Sequence, residues 1–346
     1  LKLLLYSVII LIGTSCSSDK DNYIPIENVN LEFTVPSNFP KPTYKMALNP
    51  PTEKGFELGK KLFYDGRLAS DGVVSCGFCH IQDFAFTHHT HIVSHGVNGA
   101  LGTRNAQPLH NMAFMKEFTW DGATMHLDLQ PIIPITAAVE MNETFNSILQ
   151  KLEEQPEYVK LFAEAFEDQK INTDNLLKAL SQFMVMMVSA NSKYDKIERN
   201  EGSVFTKEEE AGFELFKTKC ASCHQGTLFT DQSYRNNGLP IDSLYNDIGR
   251  KRVTGLAEDI YKFKVPSLRN IELTFPYMHD GRLKTLSDVL DHYSNGIENS
   301  ETLDPILKQN DTLGISMTPQ EKQYIISFLK TLTDDDFLND NRFSEF

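Results

Sequence analysis

An all-α fold of two related domains in tandem is what this sequence predicts, and three observations carry the prediction. Apolar residues recur at helical spacing, no segment sustains the alternation of a half-buried strand, and one set of short motifs occurs twice along the 346 residues. Taken in order, Lys2 precedes an apolar run from Leu3 to Ile12, too short to span a bilayer, and residues 1–22 read as an export signal. Small residues Gly13, Thr14 and Ser15 lead into Cys16, as at a lipoprotein cleavage site, which predicts a lipid anchor on Cys16; ordinary secretion with an unused cysteine is the alternative. Residues 23–50, proline-rich from Pro36, form an extended lead-in. A first domain over 51–195 closes on the stripe Leu176, Leu177, Leu180, Phe183, Met184 and Met187, whose methionines belong to a core. Polar, glycine-containing residues 191–203 suit a linker. The second domain, 196–335, shows helix starts at Thr206 with Glu209, Thr285 with Asp288, and Thr318-Pro319 with Glu321, each a capping residue with an acid three positions on. Ile325, Ile326, Phe328 and Leu329 give its last apolar stripe, and residues 336–346, after Asp334-Asp335-Asp336, read as a solvated tail.

The repeated motif is Cys76-Gly77-Phe78-Cys79-His80 and Cys220-Ala221-Ser222-Cys223-His224. Two thiols at this spacing can add across the two vinyl groups of one porphyrin, and the following His then reaches the iron, so each pentapeptide fits covalent c-type haem attachment. A redox C-x-x-C pair or half a zinc site is the bland reading, but neither needs His directly after the second Cys, twice. Of five cysteines these motifs use four, which leaves no pair for a disulfide framework. The surroundings are duplicated too. Gly55-Phe56-Glu57-Leu58 pairs with Gly212-Phe213-Glu214-Leu215, Phe86-Thr87 with Phe229-Thr230, and Asn111 before Trp120-Asp121-Gly122 with Asn270 before His279-Asp280-Gly281 at identical spacing. Two cytochrome-c-like domains follow, and the divergence of Trp120 from His279 suggests that the haems do different jobs.

A formal charge of −14 argues against nucleic acid as a partner and favours a basic one, such as a cationic electron-donor protein, through long-range steering; acidity also simply keeps a protein soluble. No segment after the first is long and apolar enough to cross a membrane.

Across nearly its whole length after the lead-in, the chain resembles the bacterial diheme cytochrome c peroxidase family. The resemblance is carried by Leu58-Gly59-Lys60-Lys61-Leu62-Phe63-Tyr64-Asp65-Gly66-Arg67-Leu68, Gly102-Thr103-Arg104-Asn105, Trp120-Asp121-Gly122, Glu140-Met141, Lys264-Val265-Pro266-Ser267-Leu268-Arg269-Asn270 and Pro276-Tyr277-Met278-His279-Asp280-Gly281. It implies an N-terminal haem where hydrogen peroxide reacts, a C-terminal haem that stores or relays electrons, an active site near the domain interface, a calcium ion there, an external protein or quinol-linked electron donor, and a homodimer in many relatives.

Residue by residue, the resemblance makes His80 and His224 the proximal ligands and Glu140 the acid-base group over the peroxidatic haem, with Gln130 supporting the same pocket. Peroxide must lose a proton from one oxygen and gain one on the other, which a partly desolvated carboxylate can do; the bland reading is a surface Glu in an Ala-rich loop. Trp120, the only tryptophan, falls where the family places an aromatic between the haems, although a lone Trp is most often a core anchor. For the second haem, Met marks the cytochrome-oxidising branch, and this chain has Tyr293 on the face of Leu286, Val289 and Leu290. Tyr resembles the methylamine-utilisation branch, which oxidises a precursor protein through high-valent iron; phenolate favours ferric iron where thioether favours ferrous. Met278 is the competing ligand, His292 a weaker one, and a core tyrosine the bland alternative. On the first haem, His95, from the set His88, His89, His91 and His95, is a switchable ligand over an otherwise open iron. Calcium would take the Asn105 side-chain oxygen and the carbonyls of Lys264 and Pro266. A plain electron-transfer diheme cytochrome is the non-enzymatic alternative.

Overall fold

The computed structural model describes residues 28–309 and 312–345, so the expected export signal and Cys16 lie outside the described residues. Helices dominate. In the first half they are α1 (Glu53–Tyr64), α2 (Cys76–Cys79), α3 (Ile132–Thr136), α4 (Phe145–Glu153), α5 (Pro156–Ala165) and α6 (Thr173–Val185). The Thr52 hydroxyl caps α1 by accepting from Gly55 N–H, and the Asn172 side chain caps α6. Leu58, Leu62 and Phe63 of α1, Tyr158 and Phe162 of α5, and Leu176, Leu180 and Phe183 of α6 form one buried core.

A second core gathers around Phe216, Phe229, Ile325, Phe328 and Leu332. It is built by α7 (Lys193–Glu198), α8 (Lys207–Lys219), α10 (Leu286–Asn295) and α11 (Pro319–Lys330); the short α9 (Lys251–Thr254) lies outside it, and α12 (Asp335–Leu338) follows. Each expected start, at Thr206, Thr285 and Thr318, is a reciprocal capping box. Extended structure among the described residues amounts to isolated bridges and two two-residue pairs, β1 (Tyr234–Arg235) with β2 (Phe263–Lys264) and β3 (Lys308–Gln309) with β4 (Thr312–Leu313).

The duplication is visible in the packing, with one correction. A methyl at Gly59 would lie 2.0 Å from the Ala179 carbonyl oxygen, and one at Gly212 would lie 1.9 Å from that of Tyr324. These are the matched positions where α1 meets α6 and α8 meets α11. The partner of Gly212 is therefore Gly59, one helical turn beyond the Gly55 that the tetrapeptide match suggests, and Leu62-Phe63 pairs with Leu215-Phe216.

Two further expectations are corrected. The linker over 191–203 contains α7, started by a capping box between Ser192 and Asp195, and Asp195 is fully buried against Arg269. Nor is the C-terminal segment merely a solvated tail. Asp334 is buried at the seam between the cores, α12 follows it, and Phe337 and Phe343 insert into the first core. Phe86 receives Phe337, and Phe56 of α1 with Phe183 of α6 receives Phe343, apolar burial that outweighs the acidic run before them.

Candidate functional site

Each attachment motif ends on a histidine whose orientation the backbone sets. The Ser75 hydroxyl caps α2 by accepting from Phe78 N–H, and the chain then curls so that His80 Nδ1 donates to the Phe86 carbonyl at 2.7 Å. In the second motif His224 Nδ1 donates to the Phe229 carbonyl at 3.1 Å. Phe86 and Phe229 both adopt left-handed backbone, φ 62° and 53°, which aims these carbonyls inward. Fixing Nδ1 as the donor leaves Nε2 as the ligating nitrogen, the arrangement of a metal-binding imidazole. Burial depresses the basicity of both rings, so they remain neutral donors. The repeated Phe-Thr pair is thus the sequence trace of an orienting carbonyl, a role that spacing alone does not reveal.

The second motif opens on a cleft of about 1570 Å³, including its mouth, lined by Cys220, Cys223, His224, Leu268, Leu286, Val289 and Leu290. Two free thiols, one oriented imidazole and apolar walls fit a covalently held haem, and Cys76, Cys79 and His80 repeat the donor set in the first domain. Met278 and Tyr293 both line the cleft. Asn237, which sequence reasoning missed, links them: its side-chain amide donates to Met278 Sδ at 3.4 Å and bonds the Tyr293 hydroxyl. Burial pushes the Tyr293 phenol up to about 12, and the Asn237 bond works against that rise. His292 is withdrawn as a ligand, because its Nε2 is bonded to the Asn237 carbonyl at 3.1 Å and the ring lies off the cleft wall. Leu286, Val289, Leu290 and Tyr293 form one helical stripe on the cleft, and His292 falls outside it.

Trp120 belongs to the first domain yet lines this second cleft. Its Nε1–H donates to the Asn105 carbonyl at 2.9 Å, and its own carbonyl accepts from Lys264 N–H at 2.7 Å. Lys264 is buried, which pushes its ammonium down to about 8 against the pull of Glu117 and Asp121; its Nζ donates to the Glu117 carbonyl at 2.7 Å. Asn105 gives its backbone N–H to the His279 carbonyl at 2.7 Å and its side-chain amide to the carbonyls of His91 and Ile92. Only the Asn105 Oδ1 is thereby left for an ion. The Pro266 carbonyl lies against the His224 ring.

Near the first motif, Glu140 is held by its backbone: its carbonyl accepts from Val97 N–H at 2.8 Å, and Gly96 packs so closely that a methyl there would lie 2.4 Å from the same oxygen. Burial raises the Glu140 carboxyl above its ordinary range, and its charge in turn pushes the Cys79 thiol up after burial has done so. Gln130 ends the short turn before α3, ten residues upstream on the same segment, and its carbonyl accepts from Ile133 N–H. The His95 carbonyl accepts from Cys79 Sγ at 3.5 Å, but its ring is engaged with His91, nitrogen to nitrogen at 3.1–3.2 Å. His88 stacks on His91 with centroids 4.2 Å apart, buried and with Nδ1 unpartnered.

Two helical domains, each with paired thiols and an oriented axial histidine, and an indole at the seam, define a diheme c-type protein built for redox chemistry. The family model for di-haem cytochrome c peroxidase matches residues 53–203. The methylamine utilization protein MauG of Methylorubrum extorquens is 33% identical over 341 residues, covering 94% of this chain and 90% of that protein. Cytochrome c551 peroxidase of Nitrosomonas europaea is 33% identical over 292 residues, covering 84% of this chain and 83% of its own. A crystal structure of a MauG-like protein associated with microbial copper homeostasis superposes with a TM-score of 0.82 at 33% identity, over 91% of this chain and 99% of that one. The chain belongs to the di-haem cytochrome c peroxidase family. The helical fold, the oxidoreductase class and the two c-type haems come with that membership.

Proposed function

We propose that the first haem site consumes hydrogen peroxide, with Glu140 handling protons and Trp120 carrying electrons between the sites. Reduction of peroxide takes two electrons and two protons and yields two waters. The bound haems supply the redox chemistry and the coordination position that peroxide needs. The supporting observation is Glu140, a carboxyl made basic by burial, beside the first attachment motif. Raised in this way, it is the better able to take a proton from peroxide and return it. Trp120 gives its N–H to a carbonyl, which is no base, so its proton stays in place while an electron passes. Glu140→Gln is expected to lower peroxide turnover roughly 10²–10⁴-fold with haem content intact; unchanged turnover would remove Glu140 from the proton handling, and no peroxide turnover in the unsubstituted protein would leave a plain electron carrier.

A second reading rests on Tyr293, which lines the second cleft with a hydrogen-bond donor at its oxygen. A phenolate there would hold the second haem ferric, suiting oxidation of a protein or organic substrate over storage of an electron. Stopped-flow absorption on the all-ferric protein separates the two. A fast spectral change on adding peroxide supports the Tyr293 branch, while a response only after one haem has been reduced supports Met278 and a reductively activated peroxidase.

The acidic surface supports a cationic donor protein, whose reduction rate would fall with ionic strength. Calcium is proposed at Asn105 Oδ1 with the Lys264 and Pro266 carbonyls, and lipid anchoring at Cys16. Among the described residues no helix is long and apolar enough to cross a membrane.

A further inference from the structure

We infer that the C-terminal segment 334–343 is a positioning element for the first haem site, reaching over from the second core to hold His80 and the Cys76–Cys79 turn. The inference rests on the reading of His80 as the axial ligand of that site.

The segment is anchored at its root. The Asp334 carboxylate accepts from Ser189 Oγ at 3.0 Å, Asn191 N–H at 2.8 Å and Phe337 N–H at 3.1 Å, while its own N–H donates to Asn270 Oδ1 at 2.9 Å. From there it makes two approaches to the first attachment motif. In one, Phe337, 4% exposed, packs on Phe86 with ring centroids 5.7 Å apart. Phe86 is the residue whose carbonyl receives His80 Nδ1–H. Gln82, on the same turn, donates its side-chain amide to the Asp340 carbonyl at 2.9 Å. The loop 81–87 that aims His80 is therefore clamped on its outer side by the segment.

In the other approach, Phe343, 1% exposed, packs between Phe56 and Phe183, and its carbonyl accepts from the Tyr64 hydroxyl at 2.6 Å. The Tyr64 ring lies against Gly77, where a methyl would come within 2.3 Å of it. Gly77 is the first of the two residues between the attachment cysteines, so only glycine lets Tyr64 seat there. Lys60 adds a bond to the Asn341 carbonyl at 3.3 Å.

Among the described residues the segment 334–343 makes no such approach to the second site, whose loop is tied instead to the first domain by Gln232, which accepts from Lys116 N–H at 2.8 Å and donates to the Phe114 carbonyl at 3.1 Å. Phe229, whose carbonyl serves His224, packs on Tyr194, Phe216 and Phe328 of its own core. The two orienting bonds also differ, 2.7 Å at His80 against 3.1 Å at His224. A firmer Nδ1–H bond makes an imidazole the more basic ligand and favours ferric iron. Removing the brace should loosen the bond at His80 alone.

The test truncates the full haem-loaded chain after Asp334 and reads the iron–histidine vibration and midpoint potential of each haem. Expected are a downward shift of the first site's vibration and an upward shift of its potential, an unchanged second site, and recovery when a synthetic peptide of residues 335–346 is added back. A truncated protein that keeps both haems with the first site unmoved would overturn the proposal, as would equal shifts at both sites, the mark of general loosening. Should the truncation fail to fold, Gln82→Leu removes one clamp bond outside the core and is expected to give a smaller shift of the same sign. His80→Gly keeps the two ideas apart. If it leaves the first site's vibration intact, the ligand reading fails and the proposal with it. If it abolishes the vibration while truncation and Gln82→Leu do nothing, the brace alone is wrong.

Discussion

Replacing Asp195 with alanine should be the most destabilising single change at the seam between the two cores. Arg269 and Asp195 are both fully buried and meet in a two-pronged bridge, Nη1 to Oδ2 at 2.8 Å and Nη2 to Oδ1 at 2.7 Å. Asp195 also accepts from Asn38 at 2.8 Å and from the Ser192 hydroxyl at 2.8 Å, so one carboxylate ties lead-in, α7 and second core together. Arg269 in turn donates from Nε to the Thr227 carbonyl at 2.8 Å, two residues from the Phe229 that orients His224. Removing the carboxylate strands a buried guanidinium, which costs about 3–5 kcal/mol. At about 2–4 °C per kcal/mol this is a fall in Tm of roughly 6–20 °C, read by circular dichroism on haem-loaded protein. Arg269→Met with Asp195→Ala removes both charges and should recover most of the loss. Burial by itself would raise the Asp195 carboxyl, but Arg269 outweighs it and holds the group below its ordinary value. The bridge's contribution is therefore present above the ordinary carboxylate pKa and is lost as pH falls through the depressed one. A loss under about 1 kcal/mol, or a double variant no better than the single, would refute the reasoning.

Gly212→Ala should destabilise the second core by roughly 2 kcal/mol in denaturant unfolding. Overpacking against the Tyr324 carbonyl costs about 1–3 kcal/mol, high in that range because the obstacle is backbone, and alanine's helix propensity returns only about 1 kcal/mol. Gly59→Ala should do the same to the first core, whereas Gly55→Ala meets only the movable side chains of Gln182 and Thr52 and should cost less. For catalysis, a Glu140 carboxyl raised by burial must lose its proton before it can act as a base. The acid limb of kcat/KM for peroxide should then lie above the ordinary carboxylate range, with rate falling as pH falls through it, and Glu140→Gln should abolish the limb; a limb at the ordinary carboxylate pKa would count against burial as its cause.

Local chemistry was legible in the sequence, and long-range pairing was not. The capping boxes at Thr206, Thr285 and Thr318 need only residues three apart, and the attachment pentapeptides are contiguous. Tyr293 could be placed on the cleft side of α10 because helical period alone sorts it from His292. Against this, the match of Gly55 with Gly212 followed letters, whereas the requirement for glycine arises only where two helix backbones touch. Asp195 looked like linker because its partner lies 74 positions away. Phe343 sits in a polar stretch whose burial depends on a gap between α1 and α6, and Asn237 is a loop residue with no periodicity to mark it.

The duplicated backbone persists where the side chains have parted. Asn111 and Asn270 have φ of 61° and 57°, Thr119 and Met278 of 68° and 76°, and Gly122 and Gly281 of 68° and 67°. Within that common frame Thr faces Met, Trp120 faces His279, and His110 faces Arg269. Burial and the neighbouring Arg269 push His110 down to about 3, so the first domain places a neutral ring where the second places a charge. The differences fall at the seam. Asn105 receives Trp120 Nε1–H and gives its own N–H to the His279 carbonyl, joining the two divergent turns through one residue. The second cleft takes a wall from the first domain in Trp120, and the first attachment turn takes its outer support from the tail of the second. Neither haem site is complete within its own half. A duplication that began as two self-sufficient carriers would have no need of such exchange, and an enzyme that must pass electrons between unlike haems does, because the exchange fixes the distance between them.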